Sequence, residues 1–236
     1  STSRGLGDVY KRQDLYSVEW LSGSFNNRIK SLLSLPAIRI SKSVRFVSLI
    51  QLTSGLRKFS WLKEKSFVAP VYINKPISTS HKSKKNFQDS ITLGVLGRIH
   101  KDRGLDKLVP LIGPIIQTGF RIRVFIAGEG PYKSELQEQI DAAGISDHIS
   151  YLGHISGEHL DIFWKEIDVL VSLAPSESYG RSIREALLAG VPIWVLPSSG
   201  VFELKSLVEG GGGSYINLEL NPSEQISCLR NLLKIN

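Results

Sequence analysis

Two carboxylates eight positions apart, Glu177 and Glu185, flank a short turn, Ser178-Tyr179-Gly180. From about Arg181 the spacing predicts a helix reaching 189, ended by Gly190 and followed by Pro192. The N–H groups that open such a helix, those of Gly180, Arg181 and Ser182, lack intrahelical acceptors. With the helix dipole they favour an anion, each contact contributing roughly 0.3–2 kcal/mol. Gly180 lets that anion come close to the backbone. Glu185 stands one turn further in, roughly 6 Å along the axis, with its side chain leaning back toward the N-terminus. A carboxylate there repels phosphate but accepts hydrogen bonds from a diol, and Glu177 can take hydroxyls at the other end of the same ligand. Diol, phosphate, diol is the order of groups in a nucleoside diphosphate sugar. A plainer reading makes Glu177 a loop acid that satisfies the dipole and Glu185 half of an exposed pair with Arg181. With the cation N-terminal, that pair runs in the less favourable order and explains little.

The surrounding elements must place this turn at the end of a strand. The apolar run I-D-V-L-V-S-L over 167–173 suits a parallel strand buried on both faces, and Ala174-Pro175-Ser176 stops it. A second strand follows the helix over 192–196. From residue 91 the alternation is regular, with strands also expected over 91–96, 121–127 and 149–152. Helices are expected over 104–118, 132–143, 158–165 and 182–189. A shorter strand over 214–217 precedes a helix over 222–234, with Asn221 as cap, Pro222 at the first position and Glu224 at the third. Pro110 and Pro114 predict a kink or a late start in the first of these helices. This alternation argues an α/β doubly wound parallel sheet. In such sheets ligands bind at the carboxyl ends of the strands.

With its neighbours in register, Pro175-Ser176-Glu177-Ser178-Tyr179-Gly180 through Glu185-Ala186-Leu187-Leu188-Ala189-Gly190-Val191-Pro192 resembles the signature of the retaining glycosyltransferases of family 4. These belong to the glycosyl transferases of group 1, whose GT-B fold faces two Rossmann-like domains. The resemblance implies that Glu177 contacts the donor sugar and Glu185 the ribose hydroxyls. It extends to Gly97-Arg98-Ile99-His100-Lys101-Asp102-Arg103-Gly104, which is similar to the family's G-R-x-x-x-x-K-G, where Arg and Lys clamp the diphosphate. Arg103 stands where lysine is usual, so Lys101 is kept as a substitute. Gly153-His154-Ile155 falls where relatives contact the nucleobase through main chain. The resemblance thus assigns catalysis to Glu177, Arg98 and Arg103. It assigns donor binding to Glu185, Ser178, Tyr179, Gly180, Arg181, Ser182, Gly97, Lys101, His154 and Ile155. No D-x-D motif occurs, and neither a metal nor a cofactor beyond the nucleoside diphosphate sugar donor is expected. Gly128-Glu129-Gly130-Pro131 matches a family turn whose glycines serve backbone geometry. Gly210 to Gly213 is a flexible connection by composition.

Composition bounds the rest. The 236 residues are 42% hydrophobic and 22% charged, ordinary for a globular protein of one or two domains. The single cysteine, Cys228, excludes an internal disulfide framework and reads as a buried small apolar residue. No apolar run approaches the ~20 residues that span a bilayer and no secretory signal is visible, so a cytoplasmic location is expected. Residues 1–90 carry 16 Lys and Arg against 5 Asp and Glu, a surplus of 11, whereas residues 91–236 carry 13 against 17. A basic half suggests peripheral contact with the anionic inner face of a membrane, since family members use saccharide or lipid-linked acceptors; plain surface solvation accounts for it equally well. The aromatics do not interleave with the basic residues as a nucleic-acid platform requires.

Residues 1–13 have neither period nor capping signal and resemble translated adaptor read-through. With no methionine anywhere, we expect a piece of a longer protein whose first residues are not native. Residues 14–75 are expected to be a remnant of the acceptor domain, with helices over 26–35 and 52–62, a strand over 44–49 and extended chain over 68–74. Residues 76–90, rich in Ser, Lys and Asn, read as an interdomain linker, and 91–236 as the nucleotide-sugar-binding domain. Such a chain is expected to bind a donor weakly and to transfer no sugar by itself. Two rivals share the fold: a sugar-nucleotide 2-epimerase, disfavoured by the E-S-Y-G loop, and a non-catalytic nucleotide-sugar-binding module. A dinucleotide-dependent dehydrogenase is disfavoured because no G-x-G-x-x-G follows the first strand.

Overall fold

A computed structural model describes residues 39–40, 43–46, 49–68, 90–175, 180–197, 205 and 208–234. The chain divides into two units, Ser1–Tyr72 and Ile73–Asn236. In the first, β1 (Val44–Phe46) pairs in parallel with β2 (Ser66–Val68). Parallel neighbours need a crossover, and helix α1 (Leu49–Lys58) with a 3₁₀ turn, Ser60–Lys65, makes it. The strand expected over 44–49 therefore ends at Phe46, and the helix expected over 52–62 starts at Leu49 and stops at Lys58. Phe59 leaves the helical region (φ −136°, ψ 80°), and the tighter 3₁₀ turn lets Leu62 bury. The expectations over 26–35, 69–74 and 76–89 lie outside the described residues.

The second unit holds six parallel strands: β3 (Ile91–Leu96), β4 (Ile122–Ala127), β5 (Ile149–Gly153), β6 (Val169–Ser172), β7 (Ile193–Val195) and β8 (Gly213–Tyr215). Their order is β5-β4-β3-β6-β7-β8. Helices α2 (Leu108–Gln117), α3 (Lys133–Ala142), α4 (Glu158–Glu166), α5 (Arg181–Leu188) and α6 (Pro222–Leu233) cover both faces. Leu93 and Val95 of β3 join a core with Leu108, Ile112 and Ile115 of α2, Leu136 and Ile140 of α3, and Leu229 of α6. The opposite core joins Phe163 and Trp164 of α4 and Ile183 and Ala186 of α5 to Leu170, Ile193 and Val195. A strand covered on both faces needs apolar residues at successive positions, which is why β3, β6 and β7 are legible as continuous runs.

Three local outcomes refine the expected elements. A 3₁₀ turn, Leu105–Lys107, precedes α2, so Pro110 falls in the first helical turn, where its missing N–H costs nothing. Gly210 to Gly213 is not a loose connection. Residues Val208–Gly212 form a single π-helical turn and Gly213 opens β8, where a side chain would strike Ile193. Cys228 is half-buried on α6 rather than fully buried. At the start of α6 the Asn221 side chain accepts from Glu224 N at 3.0 Å, the cap expected from the sequence, and Glu224 Oε2 accepts from Asn221 N at 2.9 Å, which makes the cap reciprocal.

The chain runs outward from β3 through β4 to β5, then returns across β3 to lay down β6, β7 and β8. This reversal puts a crevice at the carboxyl ends of β3 and β6. The opposite ends are pinned together. Asp168, buried, accepts the Thr92 N–H at 2.8 Å on Oδ2 and donates its own N–H to Thr92 O at 2.7 Å.

Candidate functional site

Backbone bonds fix the loop after β3. Gly97 N donates to Ala127 O at 3.0 Å, Ile99 N to Glu129 O at 2.9 Å and Tyr132 N to Ile99 O at 3.1 Å, so the β3–β4 pairing continues beyond the strands. Side chains on Gly128 and Gly130 would fall on the carbonyls of Gly97 and Ile99. These glycines serve backbone approach, as expected. Ile99 itself is fully buried and anchors the loop. The loop closes at Gly104, in the left-handed region (φ 69°), where a Cβ would overlap the Leu173 carbonyl at the end of β6.

Across the crevice, β6 leads to Leu173 and Ala174, both buried. Gly180 (φ 67°, ψ 51°) opens α5 with no side chain to cap it, and its carbonyl takes the first helical bond, from Arg184 N at 2.9 Å. The N–H groups of Arg181, Ser182 and Ile183 precede that bond, so no helical carbonyl takes them.

Between these walls lies a cavity of about 480 Å³. Gly97, Arg98, Arg103, His154, Ile155, Arg181, Ser182 and Glu185, all singled out from the sequence, line it. Glu177, Ser178 and Tyr179 lie outside the described residues. Gly180 is buried just before α5 and is not among the lining residues. Lys101 is not brought to the cavity either. Its Nζ lies 3.2 Å from Glu135 Oε1 and 5.6 Å from the Tyr132 ring centre. The hydrogen bond to Glu135, and then that carboxylate's charge, raises the Lys101 pKa above the ordinary lysine value.

The charges facing the cavity are arranged unevenly. Arg98 is exposed, with Nη2 3.3 Å from Asp102 Oδ2, and the other Asp102 oxygen lies 2.8 Å from His100 Nδ1. Glu185 is only 6% exposed, and its Oε1 accepts from Arg181 Nε at 2.8 Å. The pair with Arg181 therefore exists, but it is not the exposed pair of the plainer reading. The carboxylate is withdrawn from water while 60% of the Arg181 side chain remains accessible. Holding an ionised carboxylate there requires compensation by hydrogen bonds and opposite charge.

Sequence reasoning passed over the cavity's other walls: Val171 to Ala174 at the end of β6, and Ser156, Gly157 and Leu160 before and within α4. None carries distinctive chemistry. Only their position at strand ends beside the reversal of strand order could have marked them.

A doubly wound parallel sheet with cations, a helix N-terminus and a buried carboxylate gathered at its switch point defines an α/β protein of Rossmann-like type. Residues 77–209 match the family model for glycosyl transferases group 1, more than half of the chain, and the chain belongs to that family. It is 27% identical over 113 residues to alpha-monoglucosyldiacylglycerol synthase of Streptococcus pneumoniae, a match covering 48% of this chain and 26% of the relative. It is 26% identical over 101 residues to 2-deoxystreptamine glucosyltransferase of Streptomyces kanamyceticus, covering 43% and 26%. Among solved structures, Anabaena HepE in complex with UDP-glucose superposes with a TM-score of 0.66 at 22% identity, over 89% of this chain and 59% of that one. A mutant of S. aureus TarM, solved with fondaparinux, alpha-GlcNAc-glycerol and UDP, gives 0.70 at 16% identity, over 87% and 40%. The matches thus span about a quarter of each of these curated relatives. Among the described residues no helix is long and apolar enough to cross a membrane, and no three His, Cys, Asp or Glu side chains gather as a metal site would need.

Proposed function

We propose that the cavity binds a nucleoside diphosphate sugar, foremost a UDP-hexose, and that the chain supplies the donor half of a hexosyltransferase that retains anomeric configuration. The observation that carries this reading is the convergence, at the β3/β6 switch point, of Arg98, Arg103, the open N-terminus of α5 and the buried Glu185 in one cavity. Glu185 accepts the ribose diol. Arg98 and Arg103, with the amides of Arg181 and Ser182, take the diphosphate. His154 and Ile155, at the end of β5, face the base, and Glu177 meets the sugar.

Chemically, the site's main task is to stabilise the charge that develops on the leaving diphosphate. Charge-assisted hydrogen bonds from preorganised guanidinium groups and helix amides are suited to it. Retention follows in this reading when the acceptor hydroxyl attacks from the face the diphosphate leaves. Saccharide or lipid-linked acceptors fit relatives named alpha-monoglucosyldiacylglycerol synthase and 2-deoxystreptamine glucosyltransferase. Peripheral contact with an anionic membrane at the cytoplasmic face fits the basic first 90 residues. The epimerase reading draws no support from these relatives.

A calorimetric screen of UDP-glucose, UDP-N-acetylglucosamine, GDP-mannose and ADP-glucose tests the reading. Saturable binding of a UDP-sugar, with UDP competing, is expected. Failure of all four to bind the folded chain contradicts it.

A further inference from the structure

Arg181 occupies an unusual position for a cation in this cavity. It is the first residue of α5, where the backbone already attracts anions, yet its side chain is turned inward along the helix onto Glu185. The bond uses Oε1 of a carboxylate that is almost wholly buried, and both residues line the cavity. Arg181 therefore occupies an acceptor that a ribose diol would need. Its guanidinium is tethered by a flexible chain, 60% accessible, one turn from the amides toward which a diphosphate would be drawn.

A diphosphate drawn to the start of α5 would set two anions competing for one cation. Carboxylate and guanidinium satisfy each other. A diphosphate at the N-terminus of α5 offers Arg181 more negative charge than Glu185 does, and planar phosphate recognition is what a guanidinium does well. When Arg181 leaves, Glu185 becomes a buried carboxylate short of a donor, and that cost is relieved only by new hydroxyls. A ligand that brings both groups gains at both ends. A nucleoside alone must displace Arg181 without giving it a new partner.

We propose that the Arg181–Glu185 ion pair is a built-in exchange contact: the diphosphate takes Arg181, the ribose takes Glu185, and the site thereby discriminates nucleoside diphosphates from nucleosides. This rests on the donor-site reading above and assigns the Arg181 side chain, as distinct from its amide, a specificity-determining role. The pair sets a preference rather than a catalytic step.

The test is calorimetry of UDP and of uridine against the 236-residue chain and its Arg181→Ala, Arg181→Lys and Glu185→Ala variants, with thermal melts to verify folding. The expected result for Arg181→Ala is a split: uridine binds several-fold more tightly and UDP roughly tenfold more weakly, the scale of one charge-assisted contact. Arg181→Lys keeps the charge and should retain most of the preference for UDP. If both ligands weaken together in Arg181→Ala, the arginine merely holds Glu185 in place and the exchange is wrong. Both tightening, or neither changing, overturns it equally. Glu185→Ala separates this failure from a deeper one. A loss of affinity there without a split in Arg181→Ala removes the exchange alone, whereas unchanged affinity for both ligands in Glu185→Ala removes the donor site itself.

Discussion

Gly104 and the carbonyl of Leu173 lie so close that no Cβ fits between them. The contact joins the end of the Arg98 to Arg103 loop to the end of β6, the two walls of the cavity, across the point where strand order reverses. Gly104 is also in the left-handed region, at φ 69°. Gly104→Ala should therefore lose stability twice, about 1–2 kcal/mol from the backbone conformation and more from the overlap with Leu173. We expect a urea midpoint lowered by the equivalent of at least ~2 kcal/mol with an unchanged slope. A midpoint equal to the parent's means that the two walls are not held together at this point.

Arg98 and Arg103 should act on phosphate selectively. Replacing either with alanine is expected to weaken UDP roughly ten- to hundredfold while changing uridine little, since each guanidinium would contribute a charge-assisted bond to the diphosphate alone. Equal losses for both ligands place the arginines away from the phosphates.

Lys101 was kept from the sequence as a substitute for the family's lysine, but the structure pairs it with Glu135 instead. Lys101→Ala should leave UDP affinity unchanged, and a selective loss of UDP would restore it to the clamp. The pairing also has a signature in titration. Glu135 raises the Lys101 pKa, so the stabilisation from this pair is fully present below the ordinary lysine value and disappears as pH rises through the raised one. An NMR titration of Nζ should show the Lys101 pKa raised in the parent and lower in Glu135→Gln. An identical titration in both proteins contradicts the pairing.

The extent to which this site was legible in the sequence follows from its physics. Strand β3 was placed at its observed ends because a central strand is apolar on both faces, and the start of α6 because its Asn221 to Glu224 cap is local. Glu185 was singled out because it stands one turn into a helix that follows a strand end, and Arg98 and Arg103 because their loop resembles the family's; all three line the cavity. What escaped was set by contacts distant in sequence. Lys101 turns toward Glu135, 34 positions on, and no local pattern encodes that choice. The burial of Glu185 depends on the position of α5 over the sheet, so the sequence showed its spacing from Arg181 but not that the carboxylate is withdrawn from water. Gly213 looked like part of a linker because a glycine run has no period, and only the approach of Ile193 explains why a strand begins there.

Whether Glu185 receives the ribose of a nucleotide is decided by UDP affinity in Glu185→Ala and Glu185→Gln, measured calorimetrically on chains shown by their melts to be folded. Hydrogen bonds to a charged acceptor are worth about 1.5–3 kcal/mol, or roughly ten- to hundredfold in affinity. Because Glu185→Ala also releases Arg181, the loss should sit near the lower end of that range. Glu185→Gln, which keeps one acceptor and loses the charge, should lose less. UDP affinity equal to the parent's in a folded Glu185→Ala chain would contradict the assignment.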